Sequence, residues 1–211
     1  MEIYIVRHGE TLWNKEKRLQ GSVDIELSDY GRRVAAETGI GLKNTRIDRI
    51  YSSPLKRAYV TAELIRGDRD IPIITDNRLR ELCFGMYEGG DFSALIRDET
   101  LTLRYFFKQP QLYVAPADGE TLEALIARAG DFMREVIEPL AADKSNERVM
   151  IVAHGALNKA IMSYIKGHSL EHFWSGGLQS NCNVIIVDYS YEEKKYSIID
   201  ETRLFYSEDS L

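Results

Sequence analysis

Two short apolar runs, far apart in the chain, each end in a histidine that is followed by a glycine. Residues 3–6 lead through Arg7 into His8, and residues 149–153 lead directly into His154. Both runs are rich in β-branched residues, which is typical of buried strands. Ligands in open α/β sheets bind just beyond the carboxyl ends of the strands. If the two strands are parallel neighbours, both imidazoles and the Arg7 guanidinium meet in one crevice. The sequence therefore predicts an anion site there, with one histidine available as a nucleophile.

Chain length and charge limit the classes of partner. The chain has 211 residues, of which 44% are hydrophobic, so we expect one domain over residues 1–211 with a buried core. The formal net charge of -6 argues against nucleic acid or an anionic membrane as the main partner. An anionic substrate is still compatible with this charge, because the local field in a cleft can oppose the field of the whole molecule.

Cysteine usage and the lengths of the apolar segments predict the compartment. Cys83 and Cys182 have no CxxC spacing, so we expect two reduced thiols rather than a disulfide or a metal site. The N-terminus has no basic stretch followed by a long apolar segment, which argues against a signal peptide. No apolar run approaches the length of a membrane span. We therefore expect a cytoplasmic protein without a membrane partner.

Segments with strand character alternate with segments of helical periodicity. The predicted strands cover residues 2–7, 48–52, 71–75, 148–153, 183–189 and 196–200, and the predicted helices cover residues 29–43, 54–65, 120–142 and 156–166. This alternation predicts an α/β fold, a three-layer α/β/α sandwich with a mostly parallel sheet of about six strands. The last two strands are joined by only a few residues, which favours an antiparallel hairpin. For the second helix we expect Ser53 as the N-cap and Pro54 at the first helical position.

The stretch from residue 91 to residue 117 has no clear period and is crowded with aromatic residues. We interpret it as a small helical insertion that caps the active site. The aromatic residues Tyr105, Phe106 and Tyr113 have two possible roles. They line the mouth of the site, or they pack the insertion onto the sheet.

Six short motifs occur in a fixed order along the chain. They are Arg7-His8-Gly9-Glu10-Thr11 with Trp13-Asn14; Gln20-Gly21; Leu27-Ser28 with Gly31; Ser52-Ser53-Pro54-Leu55-Lys56-Arg57-Ala58 with Thr61-Ala62; Leu79-Arg80-Glu81-Leu82 leading into Gly85-Met86-Tyr87-Glu88-Gly89; and His154-Gly155. In content and spacing this set resembles the signature of the histidine phosphatase superfamily, also called the phosphoglycerate mutase-like family. A lone Arg-His-Gly is weak evidence, whereas six ordered blocks are specific.

The resemblance implies a role for each matching position. It makes His8 the nucleophile that becomes phosphohistidine and Glu81 the general acid and base. The remaining residues implied at the site surround the phosphate or the adjoining substrate, with His154 counted as catalytic; they are His154, Arg7, Asn14, Gln20, Gly21, Arg57 and Gly155. The resemblance implies neither a metal nor any other cofactor.

Elementary chemistry agrees with these assignments. A phosphomonoester carries a charge of about -1.5 to -2 near neutral pH, and its transfer depends mainly on positioning and charge neutralisation. Arg57 is expected near a helix N-terminus, where the helix dipole already favours anions. The turn after His154 opens another helix, and we expect its backbone N–H groups to face the same anion. His8 must attack as the neutral imidazole, so we expect its other ring nitrogen to donate to a carbonyl oxygen.

Three functions are compatible with these residues. The leading hypothesis is a metal-independent phosphomonoesterase that acts on a small phosphorylated metabolite through phosphohistidine. The second is a cofactor-dependent phosphoglycerate mutase, which we rank lower because residues 91–117 hold only Arg97, Arg104 and Lys108 as cations. The third, from another class, is a phospholigand-binding regulatory module without turnover. The sequence leaves the substrate and the oligomeric state open.

Overall fold

A computed structural model describes residues 1–206. The strands are β1 (Glu2–Arg7), β2 (Arg49–Ser52), β3 (Ile73–Thr75), β4 (Arg148–Ala153), β5 (Val184–Ser190) and β6 (Lys195–Arg203). They form one six-stranded sheet in the order β3-β2-β4-β1-β5-β6. Strands β1 to β4 run parallel to one another, and β5 and β6 form an antiparallel hairpin whose first strand pairs with β1. The predicted sheet and hairpin are thereby confirmed, although β3 begins two residues later than expected.

The helices lie between these strands. They are α1 (Leu12–Lys15), α2 (Asp29–Gly41), α3 (Lys56–Arg66), α4 (Phe92–Leu95), α5 (Leu122–Phe132), α6 (Glu138–Leu140) and α7 (Gly155–Lys166). One turn of π-helix, Met133–Ile137, joins α5 to α6. The helix predicted over residues 120–142 is therefore present as three consecutive helical segments.

Hydrophobic side chains cover both faces of the sheet. In β1, Ile3 and Ile5 pack into the core beneath α5 and α7, whereas Tyr4 and Val6 pack into the core that includes α3. β4 alternates in the same way. A strand with apolar residues on both faces must be covered on both sides, which explains its nearly continuous apolar sequence. The predicted α/β/α sandwich is confirmed.

Helix α2 packs closely against the loop that follows β1. A Cβ atom added to Gly31 would lie 2.0 Å from the carbonyl oxygen of Glu10, so only glycine fits there. Ser28 caps α2 by accepting from the Gly31 N–H, as its position before the helix predicts, and its own hydroxyl donates to the Glu10 carboxylate. These contacts fix the backbone just beyond His8.

The expected start of α3 is wrong. Ser53 does not cap the helix and Pro54 is not its first residue; α3 begins at Lys56 with Leu55 in the cap position and no side-chain cap. The Ser53 hydroxyl instead lies 2.8 Å from Nε2 of His154. The same hydroxyl accepts from the Leu55 N–H, so Ser53 binds outside the helix rather than capping it.

Residues 91–117 contain α4 and two short 3₁₀ turns, Thr102–Tyr105 and Pro110–Leu112. Phe106 is buried in the main core and holds this segment against the rest of the molecule. The helical character expected of the segment is confirmed. Its status as a cap, and the assignment of residues 1–211 to one domain, stay predictions, and residues 207–211 lie outside the described residues.

Cys83 and Cys182 are both free cysteines in the structure. Within residues 1–206, no helix combines the length and apolar character needed to cross a bilayer.

Candidate active site

The two His-Gly turns lie side by side, because β1 and β4 are parallel neighbours with Arg7 in register with Ala153. The ring centroids of His8 and His154 are 5.2 Å apart. The two side chains are only 3% and 0% exposed. The geometric expectation drawn from the two apolar runs is therefore confirmed: the imidazoles meet at the carboxyl ends of adjacent strands.

Hydrogen bonds to the backbone fix the His8 ring. Its Nδ1 lies 2.7 Å from the carbonyl oxygen of Gly9, and because a carbonyl can only accept, Nδ1 carries the proton. Nε2 therefore bears the free lone pair, as a nucleophilic histidine requires. The turn is held from both sides. The Gly9 N–H donates to the Thr61 hydroxyl, and the Asn181 side-chain amide donates to the His8 carbonyl.

His154 is oriented by Ser53. Its Nε2 shares a 2.8 Å hydrogen bond with the Ser53 hydroxyl, which itself accepts from the Leu55 N–H. Nδ1 of His154 is buried and meets no hydrogen-bond partner among the described residues. If the Ser53 hydroxyl donates to Nε2, Nδ1 carries the proton and is available to donate to an anionic oxygen.

Two arginines add positive charge to the cleft, Arg57 fully buried and Arg7 half-buried. Arg57 is 0% exposed and donates through its two terminal nitrogens to the carbonyls of Val23 and Gly21, at 2.7 and 2.6 Å. Arg7 donates to the Gln179 carbonyl at 2.5 Å. The Nε atoms of both arginines are buried and unpartnered within residues 1–206. These guanidiniums are pre-positioned by backbone carbonyls and retain unused donors.

Glu81 lies at the N-terminus of α7. Its carboxylate accepts hydrogen bonds from the N–H groups of Ala156 and Leu157 at 3.1 and 3.0 Å. It also accepts from the N–H of the next residue, Leu82. We expected the first turn of this helix to face the anion directly, and for these two N–H groups that expectation is wrong. They bind Glu81, which borders the cleft beside Gly155.

Helix α1 and the loop after it supply the remaining predicted residues. Gly21 has a φ of +57°, and a Cβ there would collide with the Glu88 carboxylate, which accepts the N–H groups of Ser22 and Val23. Gln20 is buried, and its Oε1 has no partner in the described part of the chain. Asn14 uses its Oδ1 to accept from Thr11, which leaves its NH₂ group for a ligand.

The cleft has a cavity volume of about 260 Å³ and both polar and apolar lining residues. The lining includes all the predicted site residues except His154, whose ring lies next to that of His8. The lining also has an apolar wall; it consists of Trp13, Phe84, Phe92, Phe106, Phe107, Trp174 and Leu178. Two further cations, Lys17 and Arg18, line the same cleft. Of the three aromatic residues considered from sequence, Phe106 lines the cleft. Tyr105 and Tyr113 do not, and Tyr113 packs edge-on against Phe106.

Burial and positive charge control the ionisation of the site. Desolvation, reinforced by Arg57, lowers the pKa of both His8 and His154 well below 6.5, and Arg7 adds to this effect. Both rings are therefore neutral near neutral pH. Burial also lowers the pKa of Arg57 to about 10, which Glu81 partly opposes, so this guanidinium remains charged. A neutral imidazole thus lies beside permanent cations.

Comparison with known proteins decides the family. The model of the histidine phosphatase superfamily (branch 1) matches residues 3–201. The chain belongs to this superfamily. An uncharacterized phosphatase, PhoE, of Bacillus subtilis is 35% identical over 200 residues, covering 94% of this chain and 92% of its own length. A probable phosphoglycerate mutase, GpmB, of Salmonella arizonae is 33% identical over 190 residues, covering 90% of this chain and 85% of its own length.

A solved structure extends the match to three dimensions. The YhfR protein of Bacillus stearothermophilus is 34% identical, has a TM-score of 0.84, and covers 95% of this chain and 96% of its own. The prediction that the chain is a phosphatase of the histidine phosphatase superfamily is confirmed at the level of the family. The roles of individual residues in this superfamily member stay proposals.

The lowered histidine pKa values predict how the stability of this superfamily member depends on pH. Below pH 6.5 the unfolded chain takes up protons on His8 and His154, while the folded protein keeps both rings neutral. The free energy of unfolding should therefore be highest above 6.5 and fall as the pH drops toward the folded pKa values. Across that window each imidazole raises the unfolding equilibrium constant by up to about tenfold for every unit by which the pH falls.

Urea denaturation on both sides of pH 6.5 measures this dependence. The double variant His8→Gln, His154→Gln should show a flatter dependence, whereas His172→Gln, at an exposed position, should retain the dependence of the parent protein. An unchanged slope in the double variant would contradict the assigned neutral state.

For several residues that hold this site in place, the sequence does not indicate that role. Thr61 appears in the sequence only as a member of a motif, and Ser53 also as a predicted N-cap. Neither signal indicates that Thr61 holds the His8 turn or that Ser53 holds His154. Gln179 binds the backbone of β1 through its amide and Arg7 through its carbonyl, and no local sequence signal marks it. Within residues 1–206, the His, Cys, Asp and Glu side chains form no group of three or more arranged to hold a metal ion.

Proposed function

We propose that this protein hydrolyses phosphomonoesters through a phosphohistidine intermediate on His8. The observation that carries the proposal is the tautomer of His8: Nδ1–H is bound to the Gly9 carbonyl, which leaves a lone pair on Nε2 beside Arg7 and Arg57. A buried neutral imidazole surrounded by cations is suited to attack a phosphoryl group and unsuited to a purely structural role.

The first half-reaction breaks the ester bond. The Nε2 lone pair of His8 attacks phosphorus in line with the leaving oxygen, and an N–P bond forms as the P–O bond breaks. The Glu81 carboxyl group delivers its proton to the departing alkoxide, which accelerates such a step by typically about 10²–10⁴-fold. Arg7 and Arg57 stabilise the charge on the equatorial oxygens, with a further hydrogen bond from Nδ1 of His154.

The second half-reaction regenerates the enzyme. A water molecule attacks the phosphohistidine, Glu81 takes one of its protons, and the N–P bond breaks to release inorganic phosphate. His8 returns to its neutral form with Nδ1 still bound to Gly9. The fixed cations neutralise the phosphoryl group throughout, so the mechanism requires no metal ion.

The apolar wall of the cleft favours a substrate with an apolar leaving group. Phe107 packs edge-to-face against both Phe92 and Phe106, and Trp174 packs against Phe106 and Phe107. A polyhydroxylated or zwitterionic leaving group would lose its hydration against this wall without gaining hydrogen bonds. A flat apolar group would replace water at an already apolar surface.

We therefore expect aryl phosphates to be better substrates than phosphoserine by at least about tenfold in kcat/KM. Phe107→Ser should reduce this preference, since it introduces a hydroxyl group into the wall. Phe205→Ser is the matched control, because Phe205 packs against Tyr4 on the other face of the sheet. Equal kcat/KM values for the two substrate classes in the parent protein would contradict this assignment of the wall.

A phosphoglycerate mutase is the second candidate, favoured by the similarity to the protein named as probable mutase GpmB. The second acidic group of its substrates needs cations near the phosphate site. The arginines of the 91–117 segment bind groups within that segment. Arg97 donates to the Ser93 carbonyl, and Arg104 donates to the Glu99 carbonyl and stacks on Tyr105. Neither arginine lines the cleft, so the 91–117 segment supplies no cation for a second acidic group, which supports the phosphatase over the mutase. Lys17 and Arg18, which do line the cleft, are the cations that a mutase substrate would have to use.

One pair of assays separates the candidates. The purified protein should release p-nitrophenol from p-nitrophenyl phosphate at an undiminished rate in the presence of a chelator. It should isomerise 3-phosphoglycerate only marginally when 2,3-bisphosphoglycerate is added. Robust isomerisation would favour the mutase. Binding of inorganic phosphate without turnover of any ester would favour a regulatory module.

A further inference from the structure

Arg128 uses its whole guanidinium to hold the segment that carries Glu81. Its Nη1 donates to the carbonyls of Arg78 and Arg80 at 2.7 and 2.6 Å, and its Nη2 donates to the Glu81 carbonyl at 3.2 Å. The remaining N–H groups bind both carboxylate oxygens of Glu120, at 2.7 and 2.8 Å. All five N–H donors of the guanidinium are therefore engaged.

The segment from Arg78 to Glu81 has little regular structure of its own. It leaves a single 3₁₀ turn, Asn77–Leu79, and then runs extended. No ladder of strand hydrogen bonds fixes the backbone at Glu81. The backbone carbonyls of this segment therefore depend on a side chain for hydrogen-bond partners. Arg128 projects from α5, which packs against α7 in the main core, and therefore connects this segment to a rigid helix.

The position of the Glu81 carboxylate is sensitive to this support. It must lie against the N-terminus of α7 and also border the cleft next to Gly155. Arg128 itself does not line the cleft. We propose that Arg128, oriented by Glu120, is a positioning residue that holds Glu81 where it can exchange a proton with the leaving group. This inference rests on the proposed function of Glu81.

The role has a kinetic consequence that a general structural role lacks. A proton donor matters most when the leaving group is a strong base and matters little when the leaving group departs readily as an anion. Misplacing Glu81 should therefore slow the hydrolysis of an alkyl phosphate far more than that of p-nitrophenyl phosphate. Binding of inorganic phosphate, which depends on the arginines of the cleft, should remain unaffected.

The test compares Arg128→Lys with the parent protein on 2-phenylethyl phosphate and on p-nitrophenyl phosphate. Lysine keeps the charge but has three donors on one atom and cannot bind Glu120 and three carbonyls together. We expect kcat for the alkyl ester to fall by about 10–100-fold, and kcat for the nitrophenyl ester to change by less than about threefold. Glu120→Gln should show the same selectivity to a smaller degree, which keeps the test decisive if Arg128→Lys folds poorly.

Two further measurements complete the design. Adding Arg128→Lys to Glu81→Gln should cause no further loss on the alkyl ester, since the two residues act through one step. Arg134→Lys, an exposed arginine in the π turn, is the matched control and should leave both rates unchanged. Equal losses on the two esters, or additive losses in the double variant, would overturn the inference. Absence of hydrolysis by the parent protein would instead refute the proposed function.

Discussion

Replacing His8 with alanine should reduce kcat for p-nitrophenyl phosphate by at least about 10⁴-fold, the scale of loss seen when a covalent nucleophile is removed. The remaining cations can still bind the phosphoryl group, but among residues 1–206 no other imidazole lines the cleft. Steady-state kinetics at saturating substrate measure the change.

Two controls separate lost chemistry from lost structure. His172→Ala removes an exposed imidazole of the same chain and should leave kcat unchanged. Binding of inorganic phosphate to His8→Ala, measured by calorimetry, should persist, because Arg7 and Arg57 remain in place. A His8→Ala protein that hydrolyses the ester within about tenfold of the parent rate would exclude His8 as the nucleophile.

Replacing Arg57 with methionine should affect both stability and activity. The variant leaves the Gly21 and Val23 carbonyls without their donor, and a buried group that loses its only partner costs about 1–3 kcal/mol. It also removes one cation from the phosphate end, for which we expect kcat/KM to fall by at least about 10²-fold. Urea denaturation measures the first effect, and initial rates measure the second.

A conservative variant and a surface variant sharpen this prediction. Arg57→Lys keeps a charge but cannot donate to both carbonyls in the fork geometry of arginine, so it should recover only part of the activity. Arg33→Met, at an exposed position in α2, should change neither quantity. Full activity in Arg57→Met would show that the buried guanidinium serves the loop alone and not the phosphate.

The sequence predicts the scaffold well because its signals are local. β1 and β4 are short and continuously apolar, a pattern that follows directly from burial on both faces of a parallel sheet. Whether these strands are neighbours is a topological property, and here the repeated His-Gly turn was the only indication. The register of Arg7 with Ala153 then places both imidazoles together.

The failures have a common physical cause, which is competition between local and long-range contacts. Ser53 has the sequence position of an N-cap, but its hydroxyl is bound to His154, which is remote in the chain. The first N–H groups of α7 have the form of an anion site, but Glu81 occupies two of them. In the sequence, Arg128 has the position of an ordinary charged residue on an amphipathic helix. Only its five contacts with backbone carbonyls and the Glu120 carboxylate show that it holds the segment from Arg78 to Glu81.

Trapping the intermediate tests the central claim most directly. The protein is mixed with a labelled phosphomonoester, quenched in alkali, where phosphohistidine survives, and cut into peptides for mass spectrometry. We expect one phosphoryl group on the peptide that contains His8, absent in His8→Ala and lost on acid treatment. Turnover with the phosphoryl group on His154, or turnover without any phosphorylated histidine, would contradict the account.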